Sequence, residues 1–137
     1  MIEFNYETEF TLNNEDHLNN WIQNCIQAEG FKTGEINYIF CDDDYLHKLN
    51  VEFLKHDTLT DVISFDNTVG KIVSGDIFIS IERVKENATI FDTSFVNELN
   101  RVMIHGILHY LGYKDKKEED VVVMRNKENQ FLQHLSN

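Results

Sequence analysis

Two histidines four residues apart, His105 and His109, lie in the apolar run from Val102 to Leu111, and Gly112 and Asp115 follow at once. This spacing predicts a helix, its end and a fold-back within one short stretch. Residues at i and i+4 share a helix face, with Cβ atoms about 5–6 Å apart. Both imidazoles can therefore converge on one ion, at about 2.0–2.1 Å if that ion is zinc. Glycine readily takes the left-handed conformation that ends a helix, after which the chain can bring the Asp115 carboxylate to the same point. Two neutral imidazoles and one carboxylate make a catalytic zinc set with a fourth position left for water. An ion of this kind lowers the pKa of its water towards about 7. A histidine pair alone is commonly just two helix residues; the glycine and the acid at these offsets distinguish this one. Position 106 is glycine, so the glutamate base of HExxH peptidases is missing. A metal hydrolase is favoured and a peptidase disfavoured.

A chain of 137 residues with 42% hydrophobic content has the size and composition of one globular domain, residues 1–137. It contains no apolar stretch of the eighteen or so residues that a membrane span needs, and Met1–Glu7 has no cationic segment leading into an apolar one. A cytoplasmic protein without a membrane partner is expected. Cys25 and Cys41 fall on apolar positions of different elements, which favours buried thiols over a disulfide. The net charge of −12 argues against a broad nucleic-acid surface, and against DNA as a partner. The charge is uneven, however. Residues 114–127 carry five basic side chains against four acidic ones, a local +1 beside −13 elsewhere. That segment is either a solvated helix face or a patch tolerant of an anionic substrate.

Proline is absent, so glycine is the main punctuation. Residues 2–10 alternate as a first strand, and Asn13 or Asn14 caps a helix with Leu18, Trp21, Ile22, Cys25 and Ile26 inward, ended by Gly30. Residues 35–41 form a strand. Asp42 caps a helix with Tyr45, Leu46, Leu49 and Phe53 inward. Short strands follow at 62–65 and 76–80, and Ser80 caps a helix running to Phe91, with Phe91 on its inner side. The histidine helix spans 94–111 with Val96, Leu99, Val102, Met103, Ile107 and Leu111 inward. A last helix begins near Lys117, with Val121, Met124, Phe131, Leu132 and Leu135 as its stripe. The order predicts an α+β domain, about four strands in a mixed sheet packed with about five helices. His17, His47, His56 and His134 show no ligand spacing and are expected at the surface.

Several stretches stand together in this order: Leu49-Asn50 followed by Thr60-Asp61-Val62-Ile63-Ser64-Phe65, Gly75-Asp76-Ile77 with Ile79-Ser80, Glu98 ahead of the histidines, His105-Gly106-x-Leu108-His109-x-Leu111-Gly112-Tyr113, and Met124 with Glu128 on the last helix. Together they resemble the YbeY family of bacterial rRNA maturation factors. The resemblance spans residues 35–132. It implies a metzincin-like metal-binding helix and a metal-dependent single-strand endoribonuclease that matures the 3′ end of small-subunit rRNA and serves ribosome quality control. It also implies one Zn2+ and, as partners, rRNA, the small ribosomal subunit and a basic ribosomal protein that would complement the acidic surface.

Two positions depart from the family pattern. The usual third ligand is a histidine, and here it is Asp115, which opens the site to harder divalent ions such as Mn2+. Leu54 stands where the family has an arginine thought to touch the phosphodiester; Lys55 is the neighbouring candidate for that role. Leu59 replaces a usual proline. Arg101 and Glu98 share the face of His105 and could orient an imidazole or touch phosphate, with a salt bridge to the next element the plainer role for Glu98. Asp61 and Asp76 sit at strand ends, where turn capping and water activation both stay open. Leu54 and the net charge keep an alternative alive: a ribosome-assembly binding factor with a mainly structural metal and little nuclease activity. A hydrolase of another substrate on a metzincin-like scaffold is the third reading.

Overall fold

In the computed structural model, which describes residues 1–136, nine elements follow one another along the chain, alternating strand and helix only as far as β3. They are β1 (Ile2–Tyr6), α1 (Glu15–Ala28), β2 (Lys32–Cys41), α2 (Asp43–Leu54), β3 (Val62–Asp66), β4 (Ile72–Ser80), α3 (Ile81–Ile90), α4 (Phe95–Tyr110) and α5 (Glu118–Ser136). The strands form one mixed sheet in the order β1-β2-β4-β3. β1, β2 and β4 are parallel, and β3 returns antiparallel along β4. The expected α+β class, four strands and five helices are all present.

Alternation explains the main core. Ile36, Tyr38 and Phe40 on β2 stand level with Gly75, Ile77 and Ile79 on β4, and all the apolar members of this set are buried. α1 and α4 cover that face, and α5 closes the layer, with Trp21 Nε1 donating to the Phe131 carbonyl at 2.8 Å. The opposite face carries a smaller cluster, Cys41, Leu46 and Ile63, under α2. Helix starts follow local chemistry: the Asp42, Ser80 and Ser94 side chains accept from the backbone N–H groups of Tyr45, Arg83 and Asn97. Asn14 precedes α1 without making such a bond. Cys25 and Cys41 are free and buried, and desolvation pushes both thiols up to about 12.

The structure corrects several boundaries and faces. The first strand ends at Tyr6, not residue 10, because the aromatic at Phe10 packs back on Tyr6 and Phe40 instead of pairing with the sheet. β4 begins at Ile72 and runs through Gly75, which reads in the sequence as a boundary. A Cβ at Gly75 would overlap the Phe65 carbonyl and the Tyr110 ring. Its absence lets the Tyr110 hydroxyl reach the carbonyls of Phe65 at 3.1 Å and Asp76 at 3.0 Å, locking α4 to the sheet. Phe53, Phe91, Val96 and Val121 are exposed, although their spacing assigns them inward. Val96 lies in the first turn of α4. Phe53 lies in the last turn of α2, where its ring makes a T-shaped contact with Phe65. Phe91 and Val121 line a cleft described next.

Candidate metal centre and its cleft

α4 carries His105 and His109 on one face, and the turn after it supplies the third donor. Gly112 takes φ +103°, and the Gly112 and Tyr113 N–H groups bond back to the carbonyls of His109 and Leu108. The reversal brings Asp115 to the histidines. The two Nε2 atoms stand 3.0 Å apart, and Asp115 Oδ2 is 3.2 Å from each. Donors around a tetrahedral ion at about 2.0–2.1 Å stand roughly 3.3 Å apart, so the triangle fits such an ion to within a few tenths of an ångström. It is also the group that could hold a metal among the described residues.

The far side of each ring settles which nitrogen faces the centre. His105 Nδ1 donates to Glu128 Oε2 at 2.6 Å, and His109 Nδ1 donates to the Tyr113 carbonyl at 3.1 Å. Protons held on Nδ1 leave both Nε2 lone pairs pointing inward, the tautomer a metal requires. Arg101 extends the arrangement: it donates to Glu128 Oε1 at 2.9 Å and to Asn129 Oδ1 at 3.0 Å. Burial would raise the Glu128 pKa, but the bonds from His105 and Arg101 hold it below the usual carboxylate value. Burial likewise pulls His105 down, and Glu128, Asp115 and Asp61 outweigh it and raise His105. The donors thus sit in a negative potential that favours a cation.

Glu128 is the residue that sequence reasoning passed over as a site residue. Its signal was an acid on the apolar stripe of α5, between Met124 and Phe131. Glu128→Gln keeps the shape but removes the charge that fixes His105, and is expected to weaken metal affinity about 10–100-fold. Competition against a chromophoric chelator measures it; unchanged affinity would refute the orienting role.

The centre opens on a cleft of about 340 Å³ between α3, α4 and α5, lined by Asp61, Glu98, Arg101, His105, Asp115 and Arg125 among others. Glu98 is only 5% exposed, and its carboxyl makes no hydrogen bond or ion pair among the described residues; the expected salt bridge is absent. Burial raises its pKa and Asp61 adds to the rise, against the nearby charges of Arg101 and Arg125. Asp61 is raised by burial too, against bonds from backbone N–H groups and from Asn87. Lys55 and Asp76 lie outside the cleft lining. Lys55 is the left-handed cap of α2, its Nζ on the Glu52 carbonyl, and Asp76 accepts from Asn37 within the sheet. His17, His56 and His134 are exposed as expected, and the partly exposed His47 pairs with Asp57.

A second support holds the turn. The Tyr113 hydroxyl and Lys127 Nζ both donate to Glu29, at the end of α1. Burial would raise the Glu29 pKa, and these two donors bring it below the usual value. Gly106 faces away from the centre: a Cβ there would meet Ile77 of β4 at 3.0–3.4 Å. A glutamate at this position would be driven into the sheet rather than towards the donors.

Fold and donor group together define an α+β domain with a metal-capable His/His/Asp centre beside a charged cleft. The model of the endoribonuclease YbeY family matches residues 2–136. A protein from Flavobacterium johnsoniae named endoribonuclease YbeY is 62% identical over 132 residues, 96% of this chain and 95% of its own. The protein of the same name from Flavobacterium psychrophilum is 56% identical, covering 96% and 94%. Among solved structures, TM1509 from Thermotoga maritima superposes with a TM-score of 0.72 at 27% identity, covering 98% of this chain and 89% of that one. The chain belongs to the endoribonuclease YbeY family.

Proposed function

We propose that this chain is a metal-dependent single-strand endoribonuclease that matures the 3′ end of small-subunit rRNA and serves ribosome quality control in the cytoplasm. The observation that carries the reading is the convergence of His105, His109 and Asp115 beside a cleft lined by Arg101 and Arg125, in a member of this family. One divalent ion, Zn2+ or a harder ion admitted by Asp115, is held by those three donors. Such an ion supplies Lewis-acid polarisation of a phosphoryl oxygen.

The chain's own residues do the rest. Glu128 and the Tyr113 carbonyl orient the two imidazoles, and Arg101 fixes Glu128. Arg125 meets the phosphate charge, a role Leu54 cannot fill and for which Lys55 lies outside the cleft lining. Hydrolysis forms a bond from water oxygen to phosphorus and breaks one to a ribose oxygen. The attacking water gives up a proton and the departing oxygen takes one. Glu98 and Asp61, the two carboxyls with raised pKa in the cleft lining, are assigned the transfer, Asp61 accepting the water's proton and Glu98 delivering the other.

Glu98→Gln tests that role with two readouts. The rate kcat is expected to fall about 10²–10⁴-fold, as loss of an acid–base group does. Stability is expected to move the other way. Because the folded pKa of Glu98 is raised, the fold binds its proton more tightly than the unfolded chain does. Wild-type stability therefore falls as pH rises through the unfolded value, about 4.3. Glutamine carries no such penalty, so the variant's gain in Tm should be full above the folded pKa and vanish in acid. Thermal unfolding across pH measures it, and an equal gain at every pH would contradict the account.

For the function itself, purified protein is expected to cut single-stranded precursor rRNA, to lose the activity with a chelator and to regain it with added metal. Cells depleted of the protein should accumulate unprocessed small-subunit 3′ ends. Normal 3′ ends would overturn the maturation role. Metal-loaded protein that co-sediments with small subunits but leaves RNA intact would favour the binding-factor reading, to which Leu54 and the −12 charge lend support. Attraction to a basic ribosomal protein should weaken as salt rises.

A further inference from the structure

The rim of the cleft carries an aromatic ring that the fold does not use. Phe91, at the end of α3, is 60% exposed and makes no ring–ring or cation–ring contact among the described residues, yet it lines the same cleft as His105 and Asp115. Across that cleft, α5 presents Arg125, whose side chain is 56% exposed. Among the described residues its one ion pair is a long 3.7 Å contact to Glu128 Oε1, an atom that Arg101 already holds at 2.9 Å. Arg101 is committed to Glu128 and Asn129, so Arg125 is the cleft arginine with donors to spare. Val121 continues the apolar side of the rim.

We infer that Phe91 and Arg125 form a nucleotide subsite beside the metal centre, the base of one unpaired ribonucleotide stacking on Phe91 and its phosphate meeting Arg125. The inference rests on the endoribonuclease reading. Three observations select this occupant. An isolated exposed ring offers a π-face, and unpaired bases stack on phenylalanine with little regard to sequence. The guanidinium supplies the planar paired donors that phosphate accepts. Both are continuous with the centre where the backbone is to be cut, so the stacked base belongs to a nucleotide flanking the scissile bond. A base within a duplex hides its faces in the helical stack and cannot use this platform. The subsite thus accounts physically for a single-strand preference, which the metal donors do not supply.

The test uses the full chain loaded with metal, a short single-stranded RNA oligonucleotide, and the same oligonucleotide with one flanking base removed to leave an abasic sugar. Phe91→Ala is expected to raise KM about 5–150-fold, the span that stacking of one base corresponds to, with the larger share of the loss in KM rather than kcat. Phe91→Trp should restore binding, and its new indole emission should be quenched by the intact oligonucleotide but not by the abasic one. Removing the base and removing the ring should be non-additive, since each deletes the same contact. Arg125→Gln should weaken binding and flatten its salt dependence. Ile90→Ala, at an adjacent residue that is 70% exposed and outside the cleft lining, is the control and should change nothing.

Cleavage by wild type with an unchanged KM in Phe91→Ala would overturn the subsite and leave the nuclease reading intact. Binding that depends on Phe91 without any cleavage would support the subsite and overturn the nuclease reading. A wild-type chain that neither binds nor cuts the oligonucleotide would overturn both.

Discussion

His109→Ala is expected to leave the chain folded and to abolish both metal binding and RNA cleavage. The side chain is 31% exposed, and its polar contacts are to its own turn and to the other two donors, so no core packing is lost. The remaining His105 and Asp115 give two donors, too few for the three protein ligands typical of a catalytic zinc site. An ion held there would contribute several kcal/mol to stabilising transition-state charge, so its loss converts to roughly 10³-fold or more in kcat/KM. Elemental analysis after dialysis, circular dichroism and cleavage of a single-stranded RNA would check the three parts. A folded variant that retains stoichiometric metal would show that the donors have been misassigned. A folded, metal-free variant with full activity would remove the metal from the chemistry altogether.

Gly75→Ala is expected to be the most damaging single methyl group in the sheet. The added Cβ would overlap the Phe65 carbonyl and stand 2.6 Å from both Cζ and the hydroxyl of Tyr110. One backbone carbonyl and a buried ring, itself hydrogen-bonded to the sheet, define that space, so no free side-chain end can move aside. Overpacking alone costs about 1–3 kcal/mol, and displacing Tyr110 also gives up its hydrogen bond to the sheet carbonyls. The sum is about 3 kcal/mol or more, a shift of roughly 10 °C in Tm for a domain of this size. Tyr110 directly follows His109, so metal affinity should fall along with stability. Urea unfolding measures the first effect and chelator competition the second. A variant as stable as wild type would mean that β3 and β4 can part without cost.

What could be read from the sequence follows the reach of each interaction. The triad was legible because it is local: a helix face, a glycine turn and an acid all lie within eleven residues, and the structure brings their donor atoms together. The helix starts at Asp42 and Ser80 were legible for the same reason. Glu128 and Arg101 belong to different helices, and only the packing of α5 on α4 reveals that one holds the other against His105. Phe91 and Val121 have the spacing of core residues, and periodicity cannot tell a buried stripe from the wall of a cleft. Gly75 looked like punctuation because its reason is a ring from a helix far along the chain. Glu98 was read as a partner in an ion pair, and the structure instead leaves it unpaired beside the centre.

The tether at Glu29 has a consequence for when the centre comes into being. The end of α1, the turn after α4 and the last helix meet there through Tyr113 and Lys127, and that same last helix brings Glu128 to His105. α5 is the final element in chain order. A growing polypeptide therefore displays its histidines before it has the means to hold either ring in place or to pin the turn that bears Asp115. The grip on an ion thus tightens when α5 docks, and a chain whose last described helix has not yet packed would hold its histidines and the Asp115 turn only loosely.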